Sequence, residues 1–232
     1  MKVIVVGSRK GGVGKTFCSL NLAAALSRKG IKTAYWDSDV SQDGVNRMAR
    51  LPASEKKEWM PAYVNQPLPS DGSELEEYKK IFIGTLNALQ KAGYDAVVLD
   101  TSARFDKFII TLLKYASIMI HPINADKDSI NSVLTLLNAR KTHPDSRSRS
   151  VHILALKNKW KASTLNSRFI EGDLLEREIP YSEAVILPSE INATAGFVGG
   201  FVGIRGCNSK KTIEQFAILA DEVIELTKLE TA

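Results

Sequence analysis

The chain has 232 residues, 44% of them hydrophobic and 25% charged, with a formal net charge of +5. That length can bury a sizeable core without a second domain, so one domain over residues 1–232 is expected. No apolar run approaches the roughly 18 residues a membrane-spanning helix needs, and two cysteines, Cys18 and Cys207, offer neither a disulfide framework nor a CxxC metal pair.

The first predicted element is a strand, Val3-Ile4-Val5-Val6. The chain enters it almost at once, so no signal peptide is expected and a reducing cytoplasm is the simplest setting. Arg9-Lys10-Gly11-Gly12-Val13-Gly14-Lys15-Thr16-Phe17 follows, and residues 16–29 then carry helical spacing up to Gly30. A strand, a glycine-rich loop and a helix N-terminus in that order bind phosphates, because backbone N–H groups can face a polyanion at close range. In such a loop Lys15 reaches the β- and γ-phosphates and the Thr16 hydroxyl binds Mg²⁺. The usual pattern wants glycine five positions before Gly14, where this chain has Arg9.

Ile31 to Trp36 reads as the next strand and ends at Asp37-Ser38-Asp39. Residues 51–73 hold four of the eight prolines and read as an irregular insertion. A helix is predicted over 74–92, a strand over 95–99 ending at Asp100, and another over 116–120 ending at His121-Pro122. A helix over 127–140, a strand over 151–156 and a closing helix over 209–229 complete the series. Repeated β-α units with continuously apolar strands predict an α/β fold, a mostly parallel twisted sheet with helices on both faces. Ligands of such sheets bind beyond the carboxyl ends of the strands, where the loop, Asp39 and Asp100 all fall. Gly196 to Gly206 holds five glycines in eleven residues, which suggests a flexible or closely packed loop.

Charge is unevenly spread. Residues 1–36 carry seven basic side chains and no carboxylate, and residues 140–161 carry Arg140, Lys141, Arg147, Arg149, Lys157, Lys159 and Lys161 against Asp145 alone. Such runs can hold DNA through its phosphates without reading sequence, or can simply be a solvated surface.

Lysine at the head of KGGVGKT resembles the deviant Walker A motif of the ParA/MinD family of ATPases. The resemblance implies a P-loop NTPase fold, ATP and Mg²⁺ as cofactors, and slow, partner-stimulated hydrolysis. It makes Lys10 a lysine supplied across a homodimer interface to the partner's phosphates, with residues 10–17, Lys10 to Phe17, forming the nucleotide loop. YDAVVLDTSA resembles the family's Walker B segment, which makes Asp100 the carboxylate near Mg²⁺. WDSDVSQ resembles the DxDPQ segment and gives Asp39 the attacking water and a place at the metal, with Asp37 as support. Two departures stand out: Val40-Ser41-Gln42 replaces Pro-Gln, and Phe17 replaces a second hydroxyl residue. Lys157-Asn158-Lys159 resembles the segment whose Asn contacts adenine, and a surface turn accounts for Asn158 equally well. Ile179 to Val185 resembles a late family segment, IPYxxA.

No room precedes Met1-Lys2 for a helix-turn-helix domain, so the resemblance is to short plasmid-partition ParA proteins. It implies a cytoplasmic, nucleoid-associated ATPase that binds non-specific DNA as an ATP homodimer and is released by a cargo-bound, ParB-like adaptor. Residues 140–161 and Lys210-Lys211 are the candidate DNA contacts. The alternatives are a ParA-like accessory ATPase of conjugative DNA transfer, a MinD-like membrane-positioning ATPase, and an ATP-binding module with weak catalysis. The acidic side chains of the last helix, Glu214, Asp221, Glu222 and Glu225, argue against a membrane surface.

Overall fold

The computed structural model describes residues 1–38, 58–69, 75–101, 108–142, 151–188, 202 and 208–230. Seven strands form one parallel sheet: β1 (Lys2–Val6), β2 (Thr33–Asp37), β3 (Ala62–Asn65), β4 (Ala96–Asp100), β5 (Ile118–Ile123), β6 (His152–Asn158) and β7 (Tyr181–Ile186). Their order across the sheet is β3-β2-β4-β1-β5-β6-β7. The helices are α1 (Lys15–Arg28), α2 (Leu75–Lys91), α3 (Ile109–Tyr115), α4 (Lys127–Thr142), α5 (Leu165–Glu176) and α6 (Lys210–Thr227).

Parallel pairing demands crossovers, and the helices that make them cover both faces. One face packs α1 and α6 on Ile4, Val6, Val98, Ile118, Ile120, Leu156 and Ile186. The other packs α2 and α3 around Trp36, Phe82 and Leu112, and α4 and α5 around Ile123, Trp160 and Leu174. The central strands β1, β2, β4 and β5 are buried almost throughout, which is why they read as unbroken apolar runs rather than as alternating ones.

Three features differ from the sequence expectation. Residues 51–73 are not wholly irregular, because Ala62–Asn65 pairs in parallel with β2. This is an edge strand flanked by Pro61 and Pro67, and an edge tolerates proline where a central strand would not. β5 runs on through His121 and Pro122 to Ile123, and β6 runs on through Lys157 and Asn158. Helices α3 and α5 and strand β7 were not expected as elements; β7 alternates exposed and buried positions as the far edge of the sheet. The outward N–H groups of Glu183 and Val185 donate to the Glu222 and Gln215 side chains of α6, at 2.7 and 2.6 Å. Helix α6 therefore closes an edge that would otherwise invite another strand.

Candidate functional site

At the carboxyl edge of the sheet the chain leaves β1 and turns into α1. Gly14, the residue before α1, lies in the left-handed region at φ 89°, and no side chain caps the helix. The N–H groups of the first turn are thus left for a ligand, and no acidic residue opposes an anion there. A side chain at Gly14 would be strained by that φ, and its Cβ would lie 2.3 Å from Asn158 Nδ2. Gly12 is also left-handed, at φ 73°.

What holds the loop comes from the end of β6. The Asn158 amide donates to the Val13 carbonyl at 2.6 Å, and Lys159 Nζ donates to the Gly12 carbonyl at 3.1 Å. Both contacts occupy loop carbonyls. Asn158 is 2% exposed, so the surface-turn explanation of this residue is overturned: it is the buried last residue of a strand. Its Nδ2 serves the loop backbone. Lys159 was missed as a loop residue; its unusual φ of 53° directly after a strand marks the turn that aims it.

Asp37 and Asp100 end the neighbouring strands β2 and β4 in register with each other, both on the side that faces α1. Both are buried. Burial pushes the Asp100 carboxyl up to about 7; the Thr16 hydroxyl lowers it, Asp37 raises it, and Tyr35 and Lys15 lower it. Asp100 Oδ2 accepts from the Tyr35 hydroxyl at 3.1 Å, while Oδ1 is buried and has no hydrogen-bond partner. The Ser38 hydroxyl donates to the Asp100 carbonyl at 2.6 Å and ties the two strand ends together. Lys15, Thr16 and Asp100 are therefore brought into one site. Asp39, with Val40, Ser41 and Gln42, lies outside the described residues.

Lys10 is engaged within its own chain. Its Nζ lies 2.6 Å from Asp126 Oδ2, in the turn between β5 and α4. Burial alone would raise the Asp126 carboxyl, but Lys10 and the Ser129 N–H hold it below its ordinary value. A groove of about 410 Å³ opens beside Arg9 and Lys10, lined by Asp128, Asn131, Ser132 and Thr135 of α4. His121, near Lys15, is fully buried with both ring nitrogens unpartnered, and burial with the Lys15 charge lowers its pKa to about 3.

Phe17, half-buried, stands at the sequence position where a second hydroxyl residue was expected. Its ring meets Phe216 of α6 edge-on, with centroids 5.6 Å apart, so it docks α1 on α6. Cys18 is fully buried, and burial pushes its thiol up, as for a core residue.

Residues 1–76 match the family model described as ParA: NUBPL iron-transfer P-loop NTPase. An uncharacterized ATP-binding protein of Methanocaldococcus jannaschii is 32% identical over 114 residues, 43% of each chain. The chromosome-partitioning ATPase Soj of Thermus thermophilus is 27% identical over 150 residues, 58% of this chain and 59% of Soj. The chain thus spans about half the length of these curated relatives. The septum site-determining protein MinD of Pyrococcus horikoshii, solved with Mg-ADP, superposes with a TM-score of 0.67 at 19% identity, covering 97% of this chain and 96% of MinD. The chain is similar to ParA/MinD-type ATPases and shares the fold of MinD.

Two parts of the layout stand out. One is the Asn158–Lys159 clamp behind the loop. The other is a pair of tyrosines, Tyr35 and Tyr63, facing the two strand-end carboxylates. No helix among the described residues is long and apolar enough to cross a membrane. The described members of the expected basic cluster at 140–161 do not form one surface, and Arg147 and Arg149 lie outside the described residues. Arg140 and Lys141 end α4 at the amino edge of the sheet, whereas Lys157 and Lys159 lie at the carboxyl edge beside the loop. A helix lying antiparallel to its strands carries its two ends to opposite edges, so neighbours in sequence separate by the height of the sheet.

Proposed function

We propose that this chain is a slow, Mg-dependent ATPase, converting ATP and water to ADP and phosphate, that dimerises on ATP and binds DNA non-specifically to segregate or position a cargo. The observation that carries the reading is the uncapped N-terminus of α1 behind a left-handed Gly14, with the Asp100 carboxyl close to Thr16 and its Oδ1 without a hydrogen-bond partner. A backbone cradle and a waiting carboxylate oxygen suit a phosphate chain and a hard cation.

In this reading residues 11–17, Gly11, Gly12, Val13, Gly14, Lys15, Thr16 and Phe17, cradle the phosphates, the last through its backbone N–H. Lys15 meets the β- and γ-oxygens, and Thr16 and Asp100 hold Mg²⁺, with Asp39 completing that shell. When bound, the ion neutralises charge on the transferring phosphoryl group. Asp39 orients the attacking water. Lys10 leaves Asp126 and enters the partner's site, where it acts as an arginine finger does. Asn158 backs the loop; a contact with adenine would use the amide oxygen or the second Nδ2 hydrogen, since one is given to Val13. The protein is proposed to be cytoplasmic and nucleoid-associated, with a ParB-like adaptor on the cargo triggering release.

The test is binding to a random-sequence DNA duplex with ATP, with ADP and without nucleotide, at two salt concentrations. Tight binding only with ATP, weakened by salt, is expected. Lys210 and Lys211 are exposed at the N-terminus of α6, where the helix field also favours phosphate, so charge reversal there is expected to weaken binding more than reversal of Arg140 and Lys141. Absence of binding in every nucleotide state would refute the DNA part of the reading.

A further inference from the structure

Tyr35 and Tyr63 repeat one geometry. Tyr35 on β2 sits opposite Val98 of β4, two residues before Asp100, and its hydroxyl reaches diagonally to Asp100 Oδ2 at 3.1 Å. Tyr63 on β3 sits opposite Tyr35, two residues before Asp37, and its hydroxyl reaches diagonally to Asp37 Oδ2 at 3.3 Å. Diagonal neighbours on one face of a sheet are about 7–8 Å apart, a span that an aromatic side chain can bridge. The two rings stand against each other with centroids 5.8 Å apart. Each carboxylate at a strand end is thus held from the adjacent strand, one step outward and two residues down.

The arrangement is asymmetric in a way that matters. Tyr35 is 1% exposed, and a buried hydroxyl is costly unless it is hydrogen-bonded. Its hydroxyl donates to Asp100, and Ser19 of α1, whose hydroxyl donates to the Thr16 carbonyl at 3.1 Å, lies close by. Asp100 is thereby anchored through Oδ2, while Oδ1 is buried with no hydrogen-bond partner. A core position with no role in the site would be served as well by phenylalanine or leucine.

We infer that Tyr35 is a positioning residue for the metal ion, fixing Asp100 by its Oδ2 so that Oδ1 faces the cation, and that Tyr63 supports it by fixing Asp37 and the Tyr35 ring. The inference rests on the nucleotide-and-Mg²⁺ reading above. Hydrogen-bond partners behind a metal ligand are worth about 10–100-fold in metal affinity, and an anchor of this kind belongs to that group.

The experiment is a Mg²⁺ titration of binding of a fluorescent ATP analogue to the wild-type chain, Tyr35→Phe and Tyr63→Phe, with a parallel measurement in EDTA. Tyr35→Phe is expected to raise the half-saturating Mg²⁺ concentration about tenfold while leaving nucleotide affinity in EDTA within about twofold. Tyr63 is only partly buried, so Tyr63→Phe keeps the test open if the first variant folds poorly; a smaller shift in the same direction is expected. An unchanged Mg²⁺ half-point in both variants would overturn the inference while leaving the nucleotide reading intact. Wild-type binding that ignores Mg²⁺, or no binding at all, would instead strike the reading on which it rests.

Discussion

Lys10 is the residue on which the proposed mechanism turns, and its contact with Asp126 defines what dimerisation must undo. Both side chains are about one-third exposed, at 31% and 34%, so the pair is worth no more than about 1 kcal/mol. A partner's phosphates can compete for the lysine against a contact that weak. Lys10→Ala is expected to abolish hydrolysis while sparing nucleotide binding by the monomer, and wild-type turnover in that variant would remove the trans role. Asp126→Asn should lower the protein concentration at which ATP drives dimerisation by a few fold, measured by sedimentation; an impaired dimer would instead make Asp126 part of the interface. His121 allows a second test. Its pKa is lowered from 6.5 to about 3 in the fold, so the native state holds fewer protons than the unfolded chain between those values. The stability from keeping it neutral is present above pH 6.5 and is lost as pH falls toward 3. His121→Leu should flatten the fall in melting temperature with acid; an unchanged acid limb would assign that fall to other groups. Lys15 and Thr16 were legible from spacing alone, because the loop chemistry is local. Asp126 was not: an ion pair across 116 residues of sequence leaves no trace in either segment.

At the level of elements, the loop and the end of β6 act as one unit. Asn158→Ala removes the donor to Val13 and leaves a buried carbonyl unpaired, a loss of about 1–3 kcal/mol. The same change should weaken nucleotide binding, since the carbonyl it restrains lies within the phosphate cradle; full nucleotide affinity in a destabilised variant would make the clamp purely structural. The central β-α units were readable because buried parallel strands are unbroken apolar runs and their helices end in glycine, as at Gly30 and Gly93. The edges were not readable. β3 is four residues long between prolines, and β7 is held by the side chains of α6 rather than by a second strand. Helix α5 escaped notice because its outward face carries Leu165, Phe169 and Leu175, which blurs the polar half of the helical period. β3 matters to the site all the same, since it supplies Tyr63.

Over the whole molecule, every group assigned to the phosphates and the metal among the described residues lies at the carboxyl edge of one parallel sheet, as open α/β sheets require. That edge also presents Lys10, so a two-fold dimer that exchanges this lysine must bring two such edges together. The DNA-facing charges then have to lie away from that contact, and the split of residues 140–161 between opposite edges means a single duplex cannot engage them all. The direct test of the account is the mass of the chain in solution by analytical ultracentrifugation with Mg-ATP, with Mg-ADP and with no nucleotide. The account predicts a species of twice the 25.5 kDa chain mass with Mg-ATP alone, lost in Lys10→Ala. A monomer in all three conditions, with ATP demonstrably bound, would contradict it.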